Sequence, residues 1–212
     1  GSRICEYYSN RDGYEAVGVT HRELDIEDFV AVSAFIKAIR PDYVLHCAAI
    51  SNTGTCERNP VLSEKVNVRG TINLAKACRN AGSRMIFTSS DQIYNTSHSM
   101  EPNREGSEGK PGNVYGRDKK RAEEAMLTYL PDAVALRLTW MYDAPSRGRA
   151  AGQGLLQKLA DALKDRREVE FPVHDYRGIT YVWEVVRHLE EAMGLPGGVY
   201  NFGSENRYNT FD

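Results

Sequence analysis

The sequence predicts an α/β fold, a doubly wound parallel sheet with a small C-terminal lobe, and three observations carry that expectation. Short runs rich in aliphatic and aromatic residues alternate with longer amphipathic ones, the short runs are nearly continuous in apolar character, and each is closed by small or polar residues. Strands that are apolar on both sides belong to parallel sheets covered by helices on both faces. In such sheets ligands bind beyond the carboxyl ends of the strands, so chemistry is to be sought just after each strand.

Taken in order, "GSRICEYYSNRDGYEAVGV" reads as a helix running into a strand at Glu15–Val19. Ile26–Pro41 has helical periodicity and stops at its proline. Tyr43–Ala49 is a strand ending in two small residues, and Pro60–Gly82 reads as one helix with proline near its start and glycine at its end. Arg84–Ser90 is a strand closed by serines. Asn95–Gly112, rich in glycine, proline and charge, is long enough to be a functional loop over a site. A helix over Tyr115–Leu130, strands at Ala133–Thr139 and Gly198–Gly203, and a closing "NRYNTFD" that leads towards a further helix complete the chain. The expected division is a dinucleotide-binding domain over 1–140 and a substrate-binding lobe with returning sheet elements over 141–212. A doubly wound dinucleotide-binding unit starts with a strand and a glycine-rich turn that holds the pyrophosphate. That first strand and turn are missing ahead of Glu15, and Gly1 is either the last glycine of such a turn or a cloning scar.

Composition narrows the classes. With 27 basic against 29 acidic residues the net charge is −2, which gives no excess for a nucleic-acid or anionic-membrane partner. Cys5, Cys47, Cys56 and Cys78 lack the CxxC or Cys/His spacing of a metal site, so no metal is expected, and the thiols read as reduced in a cytoplasmic protein, with Cys47 and Cys78 buried. No apolar run approaches the roughly 18 residues of a membrane span, and no signal segment opens the chain.

The stretch "NVYGRDKKRAEEA" sets Tyr115 four residues ahead of Lys119. On a helix these positions share a face, so a phenol and an ammonium converge, and a nearby cation lowers a phenol's pKa from about 10. Ser89, Ser90 and Asp91 follow the strand ending in "FTSS" and stand where a bound carbonyl would lie. Each feature alone also fits ordinary structure, a solvated basic run or a polar strand end capping its own turn.

The ordered set "PDYVLHCAA", "VNVRGTINLAKAC", "FTSSDQIY", "VYGRDKKRAEE", "LRLTWMY" and "RGITYV" resembles the extended short-chain dehydrogenase/reductases, and within them most closely the dTDP-4-dehydrorhamnose reductase family. The resemblance covers nearly the whole chain. It implies a Rossmann-like fold and NAD(P)H-dependent reduction of a 4-keto group on a nucleotide-activated sugar, as in dTDP-rhamnose biosynthesis. It further implies that Ser90 polarises the carbonyl, Tyr115 donates the proton, and Lys119 lowers the Tyr115 pKa and holds the nicotinamide ribose. Ser90, Asp91 and Tyr94 match one family segment and Arg137, Thr139 and Trp140 another, so that Asp91, Thr139, Trp140 and Arg177 become the implied substrate contacts. Arg177 departs from the reductase pattern but fits an arginine of the wider group that meets the nucleotide-sugar phosphates; a structural salt bridge is its other reading. Asp143 stands where the family usually has glycine. Related dehydratases carry an acid where this chain has Gln92, which disfavours dehydration. A nucleotide-sugar epimerase and a non-catalytic, dinucleotide-binding regulatory subunit stay open as alternatives, and the assembly considered is a homodimer.

For the cofactor, the second strand is followed by Thr20, His21 and Arg22 rather than by a carboxylate, which favours NADPH over NADH unless the pair is simply surface charge. Asp25 and Ile26 resemble the family's adenine-edge contact, although Asp25 also suits a helix N-cap. Ala48 and Ala49 leave room for a cofactor, as they would for tight packing.

Overall fold

The computed structural model describes residues 1–97, 101–143, 155–171 and 173–209. In chain order the elements are α1 (Ser2–Tyr8), α2 (Phe29–Ile39), β1 (Tyr43–His46), α3 (Thr53–Arg58), α4 (Pro60–Glu64), α5 (Thr71–Ala81) and β2 (Arg84–Ser90). There follow α6 (Val114–Tyr129), β3 (Val134–Leu138), β4 (Trp140–Tyr142), α7 (Leu155–Lys164), β5 (Ile179–Tyr181), α8 (Val182–Arg187), α9 (Leu189–Gly194) and β6 (Gly198–Phe202). β1, β2, β3 and β6 lie side by side in that order, every pair parallel, while β4 and β5 form a separate two-stranded parallel sheet.

The near-continuous apolar strands have the consequence expected of them. Met85 and Phe87 of β2 pack with α2, α5 and α6 in one core, and Ile86 packs with Tyr8, Val185, Leu189 and Ala192 in a second core on the opposite face. All five residues of β3 are buried. Burying a side chain such as Phe87 or Leu136 stabilises the fold by about 1.5–3 kcal/mol, and the two-sided sheet does so twice per strand. Helix ends follow local chemistry: Asp28 caps α2 through the N–H groups of Val30 and Ala31, and Gly82 closes α5 with φ 73°.

Several expectations are corrected. Residues 15–19 are not a strand, because a strand exists only with a ladder partner and this segment has none among the described residues; Val17 and Val19 stay exposed. Pro60–Gly82 is not one regular helix, since Lys65–Gly70 widens into a π-helical turn between α4 and α5. The cause is tertiary. A Cβ on Gly70 would lie 2.5 Å from Ile26 Cδ1, and Asn73 donates to the carbonyls of Ile26 and Glu27, so the chain entering α2 presses directly on this turn. The helix N-cap is Asp28 and not Asp25, whose carboxylate accepts from Glu27 N within its own turn. Cys47 is only half-buried, although Cys78 is buried as expected. α3 had no counterpart in the sequence reading. Of the closing segment, residues 210–212 lie outside the described residues. Among the described residues no helix is long and apolar enough to cross a membrane, and no cluster of His, Cys, Asp and Glu could hold a metal ion.

Candidate active site

β2 ends at Ser90, and the chain turns at once into a short 3-10 helix over Asp91–Tyr94 whose first N–H groups need an acceptor. Ser90 Oγ supplies it, accepting from Gln92 N at 3.2 Å, and lies 3.3 Å from Asp91 Oδ1. Facing this strand end is the first turn of α6. Asn113 is its N-cap, accepting from Gly116 N at 2.7 Å, and Glu57 of α3 accepts from Val114 N at 2.6 Å. Gly116 is required here, because an added Cβ would sit 2.6 Å from the Gln92 carbonyl. Tyr115 is thereby carried against Ser90, and Lys119, one turn on, stands with its ammonium 5.8 Å from the centre of the Tyr115 ring.

The electrostatics differ from the expectation in one respect. The Tyr115 phenol is pushed up rather than down, to about 12, because burial outweighs the favourable hydrogen bond from Ser90 and Asp91 adds to the rise. Burial acts on Lys119 as well, bringing its ammonium down to about 8 against the raising influence of Cys47, Glu123 and Cys56. Lys119 is 2% exposed, lies 4.3 Å from the centre of the Phe87 ring and donates to Thr88 O at 2.8 Å. An ammonium has three donors, so two are left for a ligand's hydroxyls.

A second group gathers the other candidates. Arg177 pairs with Asp91 at 3.3 Å and lies over the Trp140 ring at 5.2 Å, joining three of the sequence-predicted substrate residues. Asp91 is raised from its ordinary value by burial, with Arg177 and Ser90 opposing. Thr139 does not join them. Its hydroxyl is 2.6 Å from that of Thr180, and its side chain packs where Gly178 and Gly203 leave room, fastening the main sheet to the small one. Arg137 is a buried tie: it makes a two-pronged pair with Glu123 of α6, at 3.0 and 2.7 Å, and donates to Tyr94 Oη and to Glu105 O of the 95–112 loop.

The cofactor candidates lie towards β1. Ala48 is exposed and Ala49 half-buried just past that strand, so its carboxyl end is not covered by side-chain bulk. Arg22 is exposed in the turn that Glu23 closes on Thr20. Ile26 is a core residue under Gly70, and Asp25 is exposed beside it.

Sequence reasoning missed a buried polar chain beneath the loop after β1. Asn67, on the π turn, accepts from Ile50 N at 2.8 Å and donates to Ile50 O at 3.1 Å and to Ser63 Oγ, which donates to Asp118 at 2.6 Å. Thr71 Oγ1 donates to Asn67 O and meets His46 Nε2 at 2.9 Å; because that hydroxyl has given its proton away, His46 is the donor. Burial, then Lys119, brings His46 down to about 3, so it is neutral at ordinary pH. The signal was present in the "VNVRGT" segment, but its side-chain partners are set by the fold.

This geometry meets its counterparts in known proteins. The family model of the RmlD substrate binding domain matches residues 1–212. The chain belongs to that family. Among relatives of this RmlD-family chain, the dTDP-4-dehydrorhamnose reductase of Mycolicibacterium smegmatis is 33% identical over 169 residues, covering 76% of this chain and 51% of its own length. Methionine adenosyltransferase 2 subunit beta of Xenopus tropicalis is 32% identical over 211 residues, covering 94% of this chain and 60% of its own. The crystal structure of dTDP-4-dehydrorhamnose reductase from Bacillus anthracis in complex with NADP superposes with a TM-score of 0.88 at 22% identity, over 97% of this chain and 71% of that one, which establishes the Rossmann-type fold. The chain spans about half the length of the curated reductases that it matches.

Proposed function

We propose that the protein reduces the 4-keto group of a dTDP-linked 6-deoxy sugar with NADPH. The observation that carries this reading is the convergence of Ser90, Tyr115 and the buried Lys119 at the carboxyl edge of β2. The donor set fits the nicotinamide end of a dinucleotide, since Lys119 keeps two N–H donors for ribose hydroxyls and Ala48 and Ala49 offer no obstruction. Nothing in the 212 residues follows the G-x-G-x-x-G spacing that holds a pyrophosphate, so the fit concerns the reacting end and the adenosine edge at Arg22, Asp25 and Ile26. When bound, NADPH supplies the two electrons and the hydrogen for carbon.

The chain's own residues serve the oxygen. As charge builds there, Ser90 Oγ donates to it and Tyr115 transfers its phenolic proton, breaking the phenol O–H bond and forming the alcohol O–H. A phenol pushed up to about 12 is in its acid form at neutral pH, ready to donate. Lys119 supports the phenolate left behind until solvent reprotonates it. Arg177, Asp91 and Trp140 flank this point and are the proposed contacts of the sugar nucleotide, with Arg177 suited to its phosphates. Arg22 would pair with the 2'-phosphate of NADPH, which NADH lacks. The four free thiols support a reducing, cytoplasmic setting.

A second reading, a dinucleotide-binding subunit of another enzyme, is favoured by the similarity to methionine adenosyltransferase 2 subunit beta along 94% of the chain. One experiment separates the two. NADPH and NADH oxidation with a dTDP-4-keto-6-deoxy sugar, and dinucleotide Kd, are measured on the whole polypeptide and on Tyr115→Phe and Arg22→Ala. The reductase reading expects turnover that Tyr115→Phe abolishes with Kd nearly unchanged. It also expects a kcat/KM preference for NADPH that Arg22→Ala shrinks by a few-fold to about a hundredfold, the range of an exposed to a partly desolvated ion pair. Tight binding without turnover by the unaltered protein would favour the subunit.

A further inference from the structure

Gln92 was notable in the sequence only for lacking an acid's chemistry. In the structure it sits between the two proposed proton-handling residues and touches the framework of both. Its N–H donates to Ser90 Oγ at 3.2 Å. Its carbonyl oxygen faces Gly116 so closely that a Cβ there would be 2.6 Å away. Its side-chain Oε1 accepts from Asn113 Nδ2 at 2.8 Å and from Asn95 Nδ2 at 3.4 Å.

Both asparagines use their other end on backbone. Asn113 Oδ1 accepts from Gly116 N at 2.7 Å, which is the N-cap of α6, and Asn95 Oδ1 accepts from Gly112 N at 2.7 Å, which closes the neck of the 95–112 loop. One amide oxygen therefore orients two carboxamides, one starting the helix that bears Tyr115 and the other holding the loop that precedes it. A carboxamide with its N–H taken by Gln92 has its oxygen fixed towards the helix; without that partner it is free to turn about its terminal torsion, where the wells are broad.

We propose that Gln92 is a positioning residue for the reduction, fixing the distance between Ser90 and Tyr115 through Asn113 and Gly116 without touching the substrate. This rests on the reductase reading for its kinetic consequence, but its structural content stands independently. What the position requires is an acceptor at the end of a three-atom arm, not an amide donor. Gln92→Glu keeps that acceptor, whereas Gln92→Met keeps the bulk and removes it.

The test is made on the full chain by amide hydrogen exchange, read by mass spectrometry over the peptide containing Val114 to Lys119, together with kcat and KM. Gln92→Met is expected to exchange about two- to tenfold faster in that first turn, the range for loss of one hydrogen bond. Exchange in β3 should be unchanged, and kcat should fall with KM for the sugar nucleotide unaltered. Gln92→Glu should restore both. Asn113→Asp in the Gln92→Met background, whose two equivalent oxygens keep the cap whichever way the group turns, should bring exchange in the first turn back to the parent's rate, and Gln92→Leu decides the matter if Gln92→Met does not fold. Unchanged exchange in Gln92→Met overturns the proposal whatever the activity, and a rise in KM with exchange intact would mean that Gln92 contacts substrate. If the unaltered protein shows no turnover, the function proposed above fails while the exchange data still decide the role of Gln92.

Discussion

A buried ammonium at Lys119, brought down to about 8 from 10.5, destabilises the folded chain whenever it carries its charge. Between pH 8 and 10.5 the unfolded chain holds a proton that the folded chain releases, so the group's contribution to stability improves as pH rises through that window. Below pH 8 its cost is fully present, at about 3 kcal/mol. Lys119→Met removes this cost and loses the hydrogen bond to Thr88 O, which offsets about 1–3 kcal/mol of it. The variant is therefore expected to be at least as stable as the parent at pH 7, with the difference moving against it by pH 10, and to be inactive. Urea unfolding at pH 7, 8.5 and 10 checks this, and a pH-independent difference would count against the burial account. The pairing of Tyr115 with Lys119 was legible in the sequence because i and i+4 on a helix are a local relation. The direction of the phenol's pKa was not, since burial belongs to the whole fold, and neither was the Arg177–Asp91 pair, 86 residues apart in the chain.

At the scale of elements, the end of α5 announced itself because Gly82 closes it within the same segment, whereas the start of α2 fell at Asp28 and not at the Asp25 that the sequence offered. The π turn at Lys65–Gly70 was not readable for the opposite reason, being shaped by Ile26 and Ile50 from other segments. The Glu15–Val19 strand failed likewise, because composition cannot supply a neighbour. Contact between elements also sets the most exacting position in the site. Gly116→Ala would force Gln92 and α6 apart at a backbone atom, and a loss of about 1–3 kcal/mol is expected, with kcat falling as Tyr115 shifts. Gly194→Ala, with nothing within 4 Å of the added Cβ, is the control and should leave the melting temperature and kcat close to the parent's. Thermal melts and turnover of the two variants test the contrast.

Across the whole molecule, Arg137 links β3 to α6 and to the 95–112 loop, and its pair with Glu123 lies out of water. Removing one member leaves a buried charge alone, so Arg137→Met is expected to cost about 3–5 kcal/mol, while the double change Arg137→Met with Glu123→Leu should recover a large part. Chemical denaturation of the parent, Arg137→Met, Glu123→Leu and the double variant measures it; additive losses would deny the coupling. The strand order has a further consequence, and it concerns time. β6 joins β3 only after the chain has made an excursion of about sixty residues through β4, α7, β5, α8 and α9. Closing so long a loop costs entropy before its ladder repays any, and non-local parallel pairing is slow to form. During synthesis the second edge of β3 must therefore wait, with only its β2 side paired, until β6 has left the ribosome.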